Sequence, residues 1–164
     1  MPPSKTDKPA PISAKTREPG VCAETLRTSP KYRTHFRKIK NIGNHIQFYT
    51  AVSIAPTYGM YRVAADINDV EMREVALGAD FSLPADALLA AADERTRLLW
   101  LCSPNNPTGN AFPAAGIERL LREFDGMVVL DEAYIDFAEE RGFLPRIDEF
   151  PNLIVLQTLS KAWG

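Results

Sequence analysis

The final stretch of the chain carries a side chain that is hard to explain as surface decoration. Leu153-Ile154-Val155-Leu156 is an apolar run leading into Gln157-Thr158-Leu159-Ser160-Lys161, and Lys161 is the only lysine after residue 40. An amine beside the end of an apolar strand can attack a carbonyl carbon. Other apolar runs also end in groups that can do chemistry. Pro56-Thr57-Tyr58-Gly59, Ser103-Pro104-Asn105-Asn106-Pro107-Thr108-Gly109 and Asp131-Glu132-Ala133-Tyr134 each follow such a run. Together these stretches offer an aromatic ring, an amide, a carboxylate, a phenol, hydroxyls and one amine. Taken singly each has an ordinary explanation: Asn-Pro and Pro-Thr-Gly form turns, the tyrosines pack well, and an aspartate at a strand end caps a helix.

The elements that would position these groups can be read from the pattern around them. Thr50–Ala55 reads as a strand stopped by Pro56, and Thr57 is placed to cap a helix whose apolar residues recur at helical spacing through Ala65. Val70–Leu77 alternates as a strand does, and Pro84 opens an alanine-rich helix over Ala85–Ala92 with Asp86 near its start. Arg97–Cys102 and Met127–Leu130 are continuous apolar runs of the kind that strands buried on both faces require. Between them Pro113–Phe124 carries Ile117, Leu120, Leu121 and Phe124 on one stripe, with Gly126 marking its end. A polar segment over 139–152 precedes the last strand, Leu153–Leu156. Strands alternating with helices predict an α/β fold with a mainly parallel sheet and helices on both faces. Ligands of such sheets bind beyond the carboxyl ends of the strands, where all four chemical stretches fall.

Composition narrows the classes. The chain has 164 residues and is 45% hydrophobic, enough for one domain with a real core. Residues 1–40 hold ten Lys/Arg against three Asp/Glu, whereas the remainder holds nine against eighteen. The basic leader lacks the interleaved aromatics and periodicity of a nucleic-acid-binding surface, so no nucleic-acid partner is expected. Its prolines and scarce large apolar residues predict a disordered or only locally structured segment. Cys22 and Cys102 form no CxxC pair, and His35 and His45 lack metal-ligand spacing, so no metal is expected. No run of apolar residues is long enough to cross a membrane and no secretory signal is evident, which makes the cytoplasm the default compartment.

Val128-Val129-Leu130-Asp131-Glu132 also suits a magnesium-holding strand end of nucleotide-hydrolysing enzymes, but the phosphate-cradling GxxxxGK[ST] loop is missing. Pyridoxal phosphate uses every group in the inventory. A lysine forms a Schiff base with its aldehyde, a carboxylate keeps the ring nitrogen protonated, and an amide and a phenol bond the ring hydroxyl. An aromatic ring stacks on its face, and hydroxyls with backbone amides hold the phosphate.

The stretches Pro56-Thr57-Tyr58-Gly59-Met60-Tyr61, Ser103–Gly109, Asp131–Tyr134 and Thr158-Leu159-Ser160-Lys161-Ala162-Trp163-Gly164 resemble the pyridoxal-phosphate core of class I/II aminotransferases, most closely the histidinol-phosphate aminotransferases. The resemblance covers about residues 50–164. It implies the large domain of a fold-type I pyridoxal-phosphate-dependent transferase. It implies Lys161 as the Schiff-base lysine and proton carrier, and Asp131 as partner of the ring nitrogen. Asn106 and Tyr134 would bond the ring hydroxyl, Tyr58 would stack, and Thr158 and Ser160 would contact the phosphate. The family's reaction passes an amino group between histidinol phosphate and 2-oxoglutarate or glutamate in histidine biosynthesis, and its members form homodimers. Other aminotransferases and phosphate-substrate decarboxylases of the fold share these motifs, and a non-catalytic binding protein on the same core is the reading from another class.

The sequence departs from the family in two places. No Gly-Ser/Ala-Asp-Glu phosphate loop precedes Pro56, Gly43-Asn44-His45 being unlike it, and the chain stops at Gly164, before the family's phosphate-clamping arginine. The expected organisation is an atypical leader over 1–40, a partial cofactor-binding large domain over 41–164, and no C-terminal small domain.

Overall fold

The computed structural model describes residues 25–28 and 49–163. Most of the basic leader, Cys22, His35 and the Gly43-Asn44-His45 segment lie outside the described residues. The elements in chain order are β1 (Thr25–Thr28), β2 (Thr50–Ala55), α1 (Met60–Ile67), β3 (Glu71–Ala76), α2 (Ala85–Ala90), β4 (Thr96–Cys102), α3 (Ala114–Glu123), β5 (Met127–Asp131) and β6 (Leu153–Gln157). Short 3-10 turns cover Ile135–Phe137 and Leu144–Glu149. The expected strands and helices are present, their ends shifted by a residue or two where capping and hydrogen bonding, rather than hydrophobicity, set the boundary.

The strands form one sheet in the order β1-β6-β5-β4-β2-β3. Strands β2 to β6 pair in parallel, and β1 adds to β6 antiparallel, with Thr25 opposite Gln157. Part of the leader thus belongs to the sheet, which its composition did not predict.

The path of the chain decides which face each helix covers. From β2 the chain steps outward to β3, then returns past β2 to β4 and continues to β5 and β6. Because crossovers between parallel strands are right-handed, reversing the step moves the connecting helix to the opposite face. Accordingly α1 is the one helix on its face among the described residues, where Tyr61 and Ala65 meet Ala51, Met72, Cys102, Leu98 and Trp100. Helices α2 and α3 cover the other, where Leu88, Ile117, Leu120 and Leu121 pack on Val52, Leu99, Leu101, Val128, Leu130 and Val155. Leu99, Leu101 and Leu130 are at most 1% exposed, each contributing about 2 kcal/mol through burial.

One local expectation is overturned. Thr57 does not cap α1; the N-cap is Gly59, without a side-chain hydrogen bond. The Thr57 hydroxyl instead donates to Asn105 Oδ1 at 2.8 Å, tying the turn after β2 to the loop after β4. A long-range acceptor replaces the local amide because the two loops are neighbours across the strand-order reversal. Among the described residues no helix is long and apolar enough to cross a membrane.

Candidate active site

The sheet ends on one edge in a cleft of about 250 Å³. Tyr58 reaches it from the turn after β2, and Cys102 and Asn106 from β4 and its loop. Asp131 and Tyr134 come from the end of β5 and beyond, and Thr158, Ser160 and Lys161 from the segment after β6. All seven residues singled out in the sequence line this one space. Among the described residues Lys161 is also the only lysine.

The loop carrying Asn106 is held by the asparagine before it. Asn105 is 2% exposed, and its amide donates to Pro56 O at 3.0 Å and to Thr108 Oγ1 at 2.7 Å, while its carbonyl oxygen accepts from Thr57. The backbone closes the same loop, with Asn105 N–H on Asn110 O and Gly109 N–H on Asn105 O. The peptide bonds before Pro56, Pro104 and Pro107 are cis. With Asn105 consumed by the scaffold, the side chain of Asn106 is left to line the cleft. Adjacent asparagines thus part ways, one tied into the loop and the other lining the cleft.

At the end of β5 the strand alternation sends Asp131 and Glu132 to different surroundings. Asp131 Oδ1 accepts from the N–H of Ala133 at 2.9 Å, as a strand-end turn requires, and Oδ2 accepts from the hydroxyl of Tyr61 at 2.5 Å. Glu132 points away into the core, 1% exposed, where Oε1 accepts from Phe143 N–H at 2.6 Å and Oε2 from the Gln157 amide at 2.8 Å. Burial outweighs those donors and pushes the Glu132 carboxyl up from its ordinary range.

The hydroxyl end of the cleft is made locally. Thr158 Oγ1 and Ser160 Oγ lie 2.8 Å apart, and the Ser160 N–H reaches Thr158 Oγ1 at 3.2 Å. Both hydroxyls and the turn backbone therefore face the same space. Lys161 Nζ sits 5.5 Å from the centre of the Tyr134 ring, within cation–π range. Among the described residues no cluster of three His, Cys, Asp or Glu could hold a metal ion.

Sequence reading missed Tyr61, Cys102 and Gln157. Cys102 and Gln157 line the cleft, and Tyr61 lies behind it against Asp131. The available signal was positional: Tyr61 falls one helical turn after Tyr58, and Cys102 and Gln157 are the last residues of their strands.

An α/β domain with this sheet has the architecture of aminotransferases, and the comparisons agree. The family model described as "Aminotransferase class I and II" matches residues 47–164, and the chain belongs to that family. It is 60% identical over 113 residues to the histidinol-phosphate aminotransferase of Bacteroides thetaiotaomicron, a match covering 69% of this chain and 33% of that protein. The enzyme of the same name from Cytophaga hutchinsonii is 54% identical over 111 residues, covering 68% of this chain and 32% of the relative. The chain thus spans about one third of the length of the curated relatives it matches. The crystal structure of histidinol-phosphate aminotransferase from Clostridium acetobutylicum superposes with a TM-score of 0.67 at 18% identity, covering 86% of this chain and 41% of that one. Thermus thermophilus aspartate aminotransferase gives 0.64 at 22% identity, covering 83% and 38%. At these identities the structures speak to the fold alone.

Proposed function

We propose that this chain forms the cofactor-binding core of a cytoplasmic, homodimeric aminotransferase that takes its amino group from histidinol phosphate and passes it to 2-oxoglutarate. The observation that carries the reading is the convergence of Tyr58, Asn106, Asp131, Tyr134, Thr158, Ser160 and Lys161 on one cleft. The donor is suggested by the relatives, which are named for that substrate.

The donor set fits pyridoxal phosphate group by group. Lys161 would attach the aldehyde, Asp131 would face the ring nitrogen, and Asn106 and Tyr134 would bond the ring hydroxyl. Tyr58 would cover the ring face, and Thr158 and Ser160 would bond the phosphate. Bound there, the cofactor would supply an electron-withdrawing ring that stabilises negative charge at the substrate carbon. The chain's own contribution is placement. Asp131 would set a negative charge opposite the ring nitrogen and favour its protonated form, the kind of preorganised charge that shifts barriers by several kcal/mol. Lys161 would be the amine in the cleft able to hold and move a proton at its Nζ. Tyr134, whose ring centre lies 5.5 Å from Lys161 Nζ, would bond the ring hydroxyl and help orient that amine.

Borohydride reduction of the chain mixed with pyridoxal phosphate tests the reading. Cofactor mass fixed on the peptide ending at Lys161, and absent in Lys161→Ala, is expected; mass fixed elsewhere or not at all overturns it. With unreduced cofactor bound, histidinol phosphate should bleach the visible absorbance where aspartate does not, and equal bleaching by both would refute the donor assignment.

A further inference from the structure

Tyr61 is the residue on which two cleft groups lean. Its hydroxyl donates to Asp131 Oδ2 at 2.5 Å, across 70 positions of chain, and its ring stacks on Trp100 with centroids 5.0 Å apart and planes 25° apart. The Tyr58 ring meets the same ring in a T-shaped contact, with centroids 5.5 Å apart and planes 83° apart. Tyr61 is 7% exposed, so these contacts are shielded from water. A short bond from a neutral phenol to a carboxylate in such a place is stronger than one at the surface.

No Lys or Arg pairs with Asp131 among the described residues. Its side-chain hydrogen bonds come from the Ala133 N–H and the Tyr61 hydroxyl, one to each oxygen. A carboxylate has about four acceptor positions, so these two donors leave lone pairs toward the cleft. The two donors also remove its rotational freedom. The other titratable group against the phenol, Cys102, donates its thiol to Pro104 O at 3.3 Å and is pushed up by burial, which keeps it neutral. Burial, with Cys102 and Asp131 adding to it, drives the Tyr61 phenol far above its ordinary value, so it remains a donor throughout the working pH range.

We propose that Tyr61 is a positioning residue for the cofactor ring: its hydroxyl fixes the Asp131 carboxylate toward the ring nitrogen while its ring packs against that of Tyr58. The inference rests on the reading of Asp131 given above. Trp100 serves in turn as the floor on which Tyr61 lies. The device is carried by α1, whose i, i+3 spacing puts Tyr58 and Tyr61 on one side of the turn that enters the helix.

The test is a double-mutant cycle on cofactor binding by the 164-residue chain, read as the dissociation constant of pyridoxal phosphate from fluorescence quenching. Tyr61→Phe keeps the ring on Trp100 and removes only the hydroxyl. The expected result is roughly tenfold weaker binding, the size of one hydrogen bond to a charged group. In an Asp131→Asn background the same substitution should change binding by less than about twofold, because its route of action is gone. Equal weakening in both backgrounds would mean a general packing role and overturn the proposal. So would wild-type affinity in Tyr61→Phe when Asp131→Asn is impaired. Should Asp131→Asn bind as the parent does, the assignment of Asp131 falls and this inference with it. An independent measurement needs no cofactor: ultraviolet titration of the tyrosines should show no Tyr61 ionisation up to about pH 12, and a phenol titrating in the ordinary range would likewise refute the bond.

Discussion

Two carboxylates that are consecutive in the chain occupy opposite sides of the β5 end, and their surroundings differ in kind. Asp131 lines an open cleft, holds two hydrogen bonds and keeps acceptor capacity for something that enters. Glu132 is 1% exposed, with Phe143 N–H and the Gln157 amide on its two oxygens and the loop at Gly142 pressed against it. The first group is left open to the cleft, and the second closes the structure around itself. Acid residues side by side are not a catalytic pair unless the backbone aims them at one space.

That contrast can be broken at several points. The largest effect belongs to the cleft. Asp131→Asn should weaken pyridoxal phosphate binding by roughly a hundredfold, about 3 kcal/mol, while thermal unfolding moves little, because one preorganised charge is lost and little packing. If melting showed a stability loss as large as its binding loss, the two carboxylates would be alike and the contrast would fail. Glu132→Ala should do the reverse, lowering unfolding free energy by about 3 kcal/mol in denaturant titration, since two donors lose their acceptor and a cavity opens.

Glu132 also has a pH signature. Its folded carboxyl titrates above the unfolded value, so the folded state binds more protons across that interval, and stability from this group is present below it and lost as pH rises through it. Relative to Glu132→Gln, which cannot titrate, the wild-type chain should lose stability as pH climbs from the ordinary glutamate range upward. A flat difference between the two would show that the hydrogen bonds fully offset burial.

Gly142 tests the same side more gently. It has φ +63°, and a Cβ there would sit 2.5 Å from Glu132 Oε1. Gly142→Ala should cost about 2 kcal/mol from left-handed strain and crowding, measured by thermal melting. The smallest effect is expected at the loop that presents Asn106. Thr57→Val removes one donor from Asn105 and should cost about 1 kcal/mol, with cofactor affinity reporting any movement of the loop.

The residues of the cleft were legible before the structure because each sits immediately after an apolar run, and a parallel sheet gathers such positions at one edge. Lys161 stood out by its isolation, and Asn106 could be chosen over Asn105 through resemblance. What escaped the reading depends on distance. Nothing near Thr57 says that its hydroxyl prefers Asn105 to the amides of α1, and nothing near Tyr61 names Asp131 as its acceptor. The polar character of 139–152 likewise hid Phe143 and Phe150, which are 4% and 3% exposed and join the core beside Leu144 and Ile147. The Arg146 guanidinium, paired with Glu118 and Glu149, lies over both rings on their outer side.

By itself the sequence determined the alternation of strands and helices, the edge on which chemistry falls and the identity of the amine and carboxylate there. These follow from hydrophobic periodicity and turn residues, which act over a few positions. Tertiary structure alone decided that Asp131 would be held by Tyr61, that Glu132 would be sealed against Gly142 and Phe143, and that Thr25–Thr28 would join the sheet edge. Those outcomes depend on which distant groups the strand order brings within hydrogen-bonding reach, and a hydrogen bond is too short-ranged for local sequence to name its partner.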